Sequence, residues 1–156
     1  MSREVERLAQ FSDAVRGSTL KRLRAVRDDR INWRPVADAL SFTDIARHLL
    51  RCDRYLIDRL NGLSVPPILV ADVNIVPVRP IEYRALVDEL RQSGEQRSHL
   101  IAGLSESSLD KTVRDERFDG EISFWWLIVR GCLDHEVHHR GQLAAYLRIL
   151  TGGGRT

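Results

Sequence analysis

Cysteine is scarce. The two in 156 residues, Cys52 and Cys132, are too few and too far apart for the disulfide framework of a small secreted domain, so a reducing compartment is expected. Long apolar runs are missing too: nothing approaches the ~18–20 uninterrupted apolar residues of a spanning helix. The start, Met1-Ser2-Arg3-Glu4-Val5-Glu6, lacks the apolar core of a secretory signal. The expected location is the cytoplasm, with no membrane partner. Nor is there an excess of one charge. The 24 basic residues (arginines except for Lys21 and Lys111) face 22 acids, a net +2. The signs intersperse without a block of like charge, which argues for solvated helix faces and against a nucleic-acid partner. No solenoid-length repeat and no low-complexity tract occurs beyond Gly152-Gly153-Gly154.

What is present is the composition of an ordinary globular chain, 43% hydrophobic and 29% charged, of a length that suits one domain over residues 1–156. Val5, Leu8, Val15, Leu23 and Val26 recur at helical spacings and predict a first helix over 3–27. Trp33-Arg34-Pro35 reads as an extended connector with an aromatic anchor. A second helix, 41–61, begins at a capping box, Ser41-Phe42-Thr43-Asp44, and stops at Asn61-Gly62. Leu63 to Arg79 holds three of the five prolines and a β-branched run, which predicts a long non-helical crossover of the kind that often serves as a lid or contact surface. Pro80 suits the first turn of a third helix, 80–104. Val113 to Phe118 can pair with Glu121-Ile122 around Asp119-Gly120. A fourth helix spans 123–150. The expected fold class is all-α, a four-helix bundle with a long crossover between helices two and three.

The chemistry concentrates in Asp134-His135-Glu136-Val137-His138-His139-Arg140-Gly141-Gln142. At ~100° per residue, His135 and His139 lie about 40° apart and one turn apart on a helix, so both imidazoles can reach one ion. They share a stripe with Ile128, Cys132, Gln142 and Tyr146, facing the bundle interior. His135 to His139 also spells H-E-x-x-H, in which the glutamate of a metalloprotease is the general base. Such a protease needs a ligand downstream, and no Asp, Glu, His or Cys follows His139. A third ligand must come from upstream, and His48 on the second helix is the best placed. Cys52, one turn later, is either a soft ligand or a small hydrophobe. His99 faces away from its helix's apolar side and is expected in solvent. His138 either replaces His139 as ligand or hydrogen-bonds at the edge of the site. Each ligand imidazole needs its second nitrogen oriented by a hydrogen bond, for which Asp44, Asp134 or backbone carbonyls are candidates. Glu136 is a candidate catalytic group, against an ion pair with Arg140 one turn on, which the spacing favours.

His48 together with His135-Glu136-Val137-His138-His139-Arg140-Gly141-Gln142-Leu143 resembles the DinB-like family, also known as YfiT-like metal-dependent hydrolases. Trp33-Arg34-Pro35, Ser41 to Leu49 and Ala145 to Leu150 extend the resemblance over nearly the whole chain. It implies an up-down-down-up bundle holding a divalent metal, zinc or nickel foremost, on three histidines matching His48, His135 and His139. It also implies a homodimer acting on a small-molecule substrate, by hydrolysis or by transfer to a low-molecular-weight thiol. The alternative is a non-catalytic, stress-linked metal-binding protein.

Overall fold

The computed structural model describes residues 3–152; Met1, Ser2, Gly153 and Gly154, which enter the expectations for the two ends, lie outside them. Helix α1 is Glu4–Arg24, α2 is Phe42–Leu60 and α3 is Pro80–Ala102. Strands β1, Thr112–Asp115, and β2, Gly120–Ser123, form an antiparallel hairpin with Val113 opposite Ile122. Asp119, at φ 60°, occupies the left-handed position of its turn. The fourth rod is not one regular helix. It comprises α4, Phe124–Ile128, a π-helical turn, Val129–Leu133, and α5, Asp134–Leu150.

The predicted boundaries of α2 follow from local chemistry. Ser41 Oγ accepts the Asp44 N–H at 3.1 Å and Asp44 Oδ2 accepts the Ser41 N–H at 2.9 Å, while Gly62, at φ 85°, turns the chain out of the helix. The first helix ends at Arg24, earlier than the expected 27, because Ala25 closes its last turn onto Arg22 O. Val26 is buried all the same.

Side-chain pairings fix the helix directions. Tyr83, early in α3, donates to Leu23 O, late in α1, at 2.7 Å. Arg97, late in α3, donates to Ser12 Oγ at 2.9 Å, so α1 and α3 are antiparallel. The early residues of α2 and α3 share one core with Leu143 and Tyr146, the late ones another with Leu127 and Ile128. Helices α2 and α3 therefore run parallel, and the fourth rod runs with α1. This is the expected up-down-down-up bundle. Trp33 is the expected anchor, edge-on to Tyr146 at 5.5 Å.

Between the two apolar cores lies a buried ionic cluster with one residue from each rod. Arg16 of α1 and Arg97 of α3 both pair with Asp53 of α2 and Glu136 of α5, and every one of the four side chains is at most 5% exposed. Arg16 also donates to Leu90 O at 2.6 Å, crossing α3 directly over Gly94. A Cβ at Gly94 would stand 2.8 Å from both Cγ and Nη1 of Arg16. Gly94→Ala is therefore expected to destabilise the fold by about 1–3 kcal/mol. Gly17→Ala, on the exposed face of α1 with nothing within 4 Å, should stabilise it by roughly 0.5–1 kcal/mol. Urea denaturation of the two variants checks the opposite signs.

Candidate metal centre

One turn after the Ser41 capping box, α2 presents His48 to α5. His48 Nε2 lies 3.3 Å from His135 Nε2, which lies 3.0 Å from His139 Nε2. The three rings stand edge-on to one another, with centroids 4.5 to 5.0 Å apart. Cys52 Sγ is 3.7 Å from His48 Nε2 and 3.8 Å from His135 Nδ1. The donor atoms of His48, Cys52 and His135 all lie within 4.8 Å of one another, a group that can hold a metal ion. Nitrogens ~2.0–2.1 Å from an ion are separated by about 2.9 Å on an octahedral edge and about 3.3 Å on a tetrahedral one. The two imidazole spacings fall on those values.

Protonation suits the same chemistry. Burial, reinforced by the neighbouring imidazoles, pushes His48 from 6.5 down to about 4. Burial, His139 and Arg117 do the same to His135, and burial lowers His139 as well. Neutral imidazoles offer lone pairs, the form a cation binds. His139 Nδ1–H donates to Gln142 Oε1 at 2.7 Å, which leaves Nε2 as its free lone pair. Burial lifts the Cys52 thiol to about 12, so by itself it stays protonated.

The other candidates sort plainly. His138 is exposed, its ring 5.2 Å from that of His139, and His99 is exposed as expected. Two expectations need correction. Glu136 does not pair with Arg140: its oxygens accept from Arg16 Nε at 2.7 Å, Arg16 Nη2 at 2.9 Å and Arg97 Nη1 at 2.7 Å. Although burial alone would raise its pKa, Arg97 and Arg16 hold it down at about 2, so this carboxylate accepts no proton near neutrality. Nor do Asp44 and Asp134 orient the imidazoles. Asp44 is taken by Ser41, Arg34 and the Asn74 N–H, and Asp134 by Arg130. His48 Nδ1 is buried without a partner.

The partners of Glu136 escaped the sequence reading. Ser12, Arg16 and Thr19 fall on the stripe of Val5, Leu8 and Leu23, Asp53 lies between Leu49 and Leu56, and Arg97 lies between Leu90 and Ile101. Charged residues in apolar register, with balanced signs, were the available signal. Gln142 lies on the histidine stripe already in the sequence, and its place one turn after His139 was the available signal for the hydrogen bond it accepts.

Residues 12–143 match the sequence profile of the DinB superfamily, a span that includes the three histidines and all four members of the ionic cluster. The chain belongs to the DinB superfamily. A DinB-like protein of Bacillus subtilis, YjoA, shares its fold at a TM-score of 0.70 and 16% identity, over 93% of this chain and 92% of that one. A conserved protein of Enterococcus faecalis does so at 0.72 and 16%, over 97% and 99%. No curated protein matches the sequence. At these identities the two structures establish the DinB fold and leave the chemistry to the residues. Among the described residues no helix is long and apolar enough to cross a membrane.

The depressed imidazoles give a pH signature. From the ordinary 6.5 down to about 4, the unfolded chain binds protons on His48 and His135 that the folded chain refuses. Stability therefore falls as pH falls through that window. Chelator-treated protein should show a urea midpoint that drops across it, with a shallower slope in the His48→Gln/His135→Gln double variant; equal slopes would contradict the assignment.

Proposed function

We propose that this DinB-superfamily protein is a metal-dependent enzyme acting on a small molecule, by hydrolysis or by transfer to a low-molecular-weight thiol. The observation that carries the proposal is that His135 Nε2 stands 3.3 Å from His48 Nε2 and 3.0 Å from His139 Nε2, joining imidazoles from two helices. A divalent ion on three neutral ligands, zinc or nickel foremost, keeps its full charge and supplies Lewis acidity to a water, thiol or carbonyl that reaches it.

The chain's own residues do the rest. Gln142 holds the His139 ring by its Nδ1–H. Cys52 closes the α2 side of the site as a neutral thiol or joins as a further ligand. Glu136 serves as a fixed anchor for the two arginines and not as a base. The crossover is tied on either side of His48 along α2: the Asn74 N–H donates to Asp44 Oδ1 at 3.1 Å, and Arg51 pairs with Asp72 at 2.7 Å. It thus runs along α2 beside His48, a position from which it can exclude water and select substrate.

His135→Ala is expected to abolish stoichiometric binding of zinc or cobalt, as measured by elemental analysis and titration. Cys52→Ser should keep one equivalent, and cobalt-loaded wild-type protein should lack a thiolate charge-transfer band. Full occupancy in His135→Ala would overturn the three-histidine site. A thiolate band lost in Cys52→Ser would make Cys52 a ligand, and full occupancy in His139→Ala beside it would put Cys52 in place of His139.

The enzyme is further proposed to work as a homodimer. The crossover and the start of α3 expose Leu69, Val70, Ile75, Val76 and Ile81, with Ile75 at 84%, and Trp126 is exposed on the fourth rod. Apolar side chains exposed to this degree over one segment suit cover by a partner. Light scattering at micromolar concentration should give twice the chain mass, and a monomeric mass would refute the dimer.

A further inference from the structure

Past the metal centre, α2 ends on a cationic side chain that the proposed reaction does not use. Arg59 lies eleven residues beyond His48, about 16 Å along the helix axis at ~1.5 Å per residue, and it is only 9% exposed. Its Nη2 donates to Arg114 O at 2.7 Å and its Nη1 reaches Leu63 O at a long 3.4 Å. Its Nε is buried with no partner at all. No carboxylate among the described residues pairs with it. A buried guanidinium without a counter-charge is costly, and each N–H left unbonded adds to that cost.

This side chain lines a cavity of about 320 Å³ between the last turn of α2, the Ser64–Pro67 segment and β1. Arg114 and Glu116, both exposed, stand at its rim with Ser64. Arg114 enters no ion pair among the described residues, so two cationic groups face one acid. The Tyr55 hydroxyl, which also borders the cavity, is committed to Asp115 Oδ2 at 2.9 Å.

We propose that this cavity binds a small oxyanion, a carboxylate or phosphate group, on Arg59 and Arg114. The long Nη1 contact to Leu63 O is the one the ligand replaces, while the Nη2 bond to Arg114 O holds the guanidinium in place. Planar guanidinium groups suit either oxyanion. The site is separate from the histidines, none of which lines the cavity.

The test is calorimetric titration of the full-length, metal-loaded protein with inorganic phosphate and, separately, with succinate. Binding of either probe at millimolar concentration is expected. Arg59→Gln and Arg114→Gln should each weaken it about ten-fold, the loss of one charge-assisted contact. Glu116→Gln should tighten it several-fold by removing the opposing charge, a change that a merely structural Arg59 would not produce. His135→Ala should leave anion affinity unchanged, which separates this site from the metal reading. If Arg59→Gln fails to fold, the two exposed rim variants still decide. Absence of binding by wild-type protein to both probes, or affinities unmoved by Arg114→Gln and Glu116→Gln, overturns the proposal.

Discussion

Two arginines and two acids sealed inside a helix bundle leave it little freedom of register. Asp53 accepts four donors, from Arg16 twice, Arg97 and Ser93, all between 2.6 and 2.9 Å, and Glu136 accepts three. Removing any one partner would strand a buried charge, which costs on the order of 3–5 kcal/mol. A slip of one helical turn by any rod would do the same to several groups at once. The cluster need not add much net stability, since its Coulombic gain is offset by desolvation. What it imposes is a single alignment of α1, α2, α3 and α5. Gly94 is part of that arrangement because the Arg16 side chain lies where its Cβ would be.

The candidate metal centre is built directly against this fixed point. Asp53 follows Cys52 and lies five residues after His48; Glu136 follows His135 and precedes His139 by three. Both helices are thus held at the cluster within a turn and a half of their histidines, and the imidazole nitrogens meet at 3.0 and 3.3 Å. The π-helical turn Val129–Leu133 adds to this. One extra residue in a turn rotates the upstream α4 by about 100° relative to an unbroken α-helix, letting Leu127 and Ile128 stay in the lower core while α5 aims its histidines at α2. Arg117 steadies that turn from the hairpin, donating to Gly131 O at 3.1 Å.

The bundle was legible because apolar spacing, the Ser41 box and the Pro80 start are local signals that the tertiary structure had no reason to override. The histidines were legible for a related reason: an i, i+4 pair converges on any helix. Less visible was whatever depends on contacts between helices. The π turn leaves no mark on a 3.6-residue period. Glu136 was assigned to Arg140 because spacing along one helix is all a sequence reading sees, whereas its partners come from α1 and α3. Asp44 and Asp134 looked suited to orient imidazoles by proximity, yet each is engaged elsewhere, Asp44 by the cap, Arg34 and the crossover.

The fate of Glu136 also separates this chain from the proteases whose five-letter pattern it shares. In H-E-x-x-H metalloproteases the glutamate is the base beside the metal. Here the same letter, about 100° round the helix from His135, is drawn the other way by two guanidinium groups and held near a pKa of 2. Its negative charge still favours protonation of His135 and His139, but burial outweighs it and keeps them neutral despite a carboxylate next in sequence. Glu136 is thus not available to take a proton at the histidines, whose neutral rings would hold a cation without a carboxylate base beside them. The meaning of the motif is therefore decided by Arg16 and Arg97, which stand outside it on other helices.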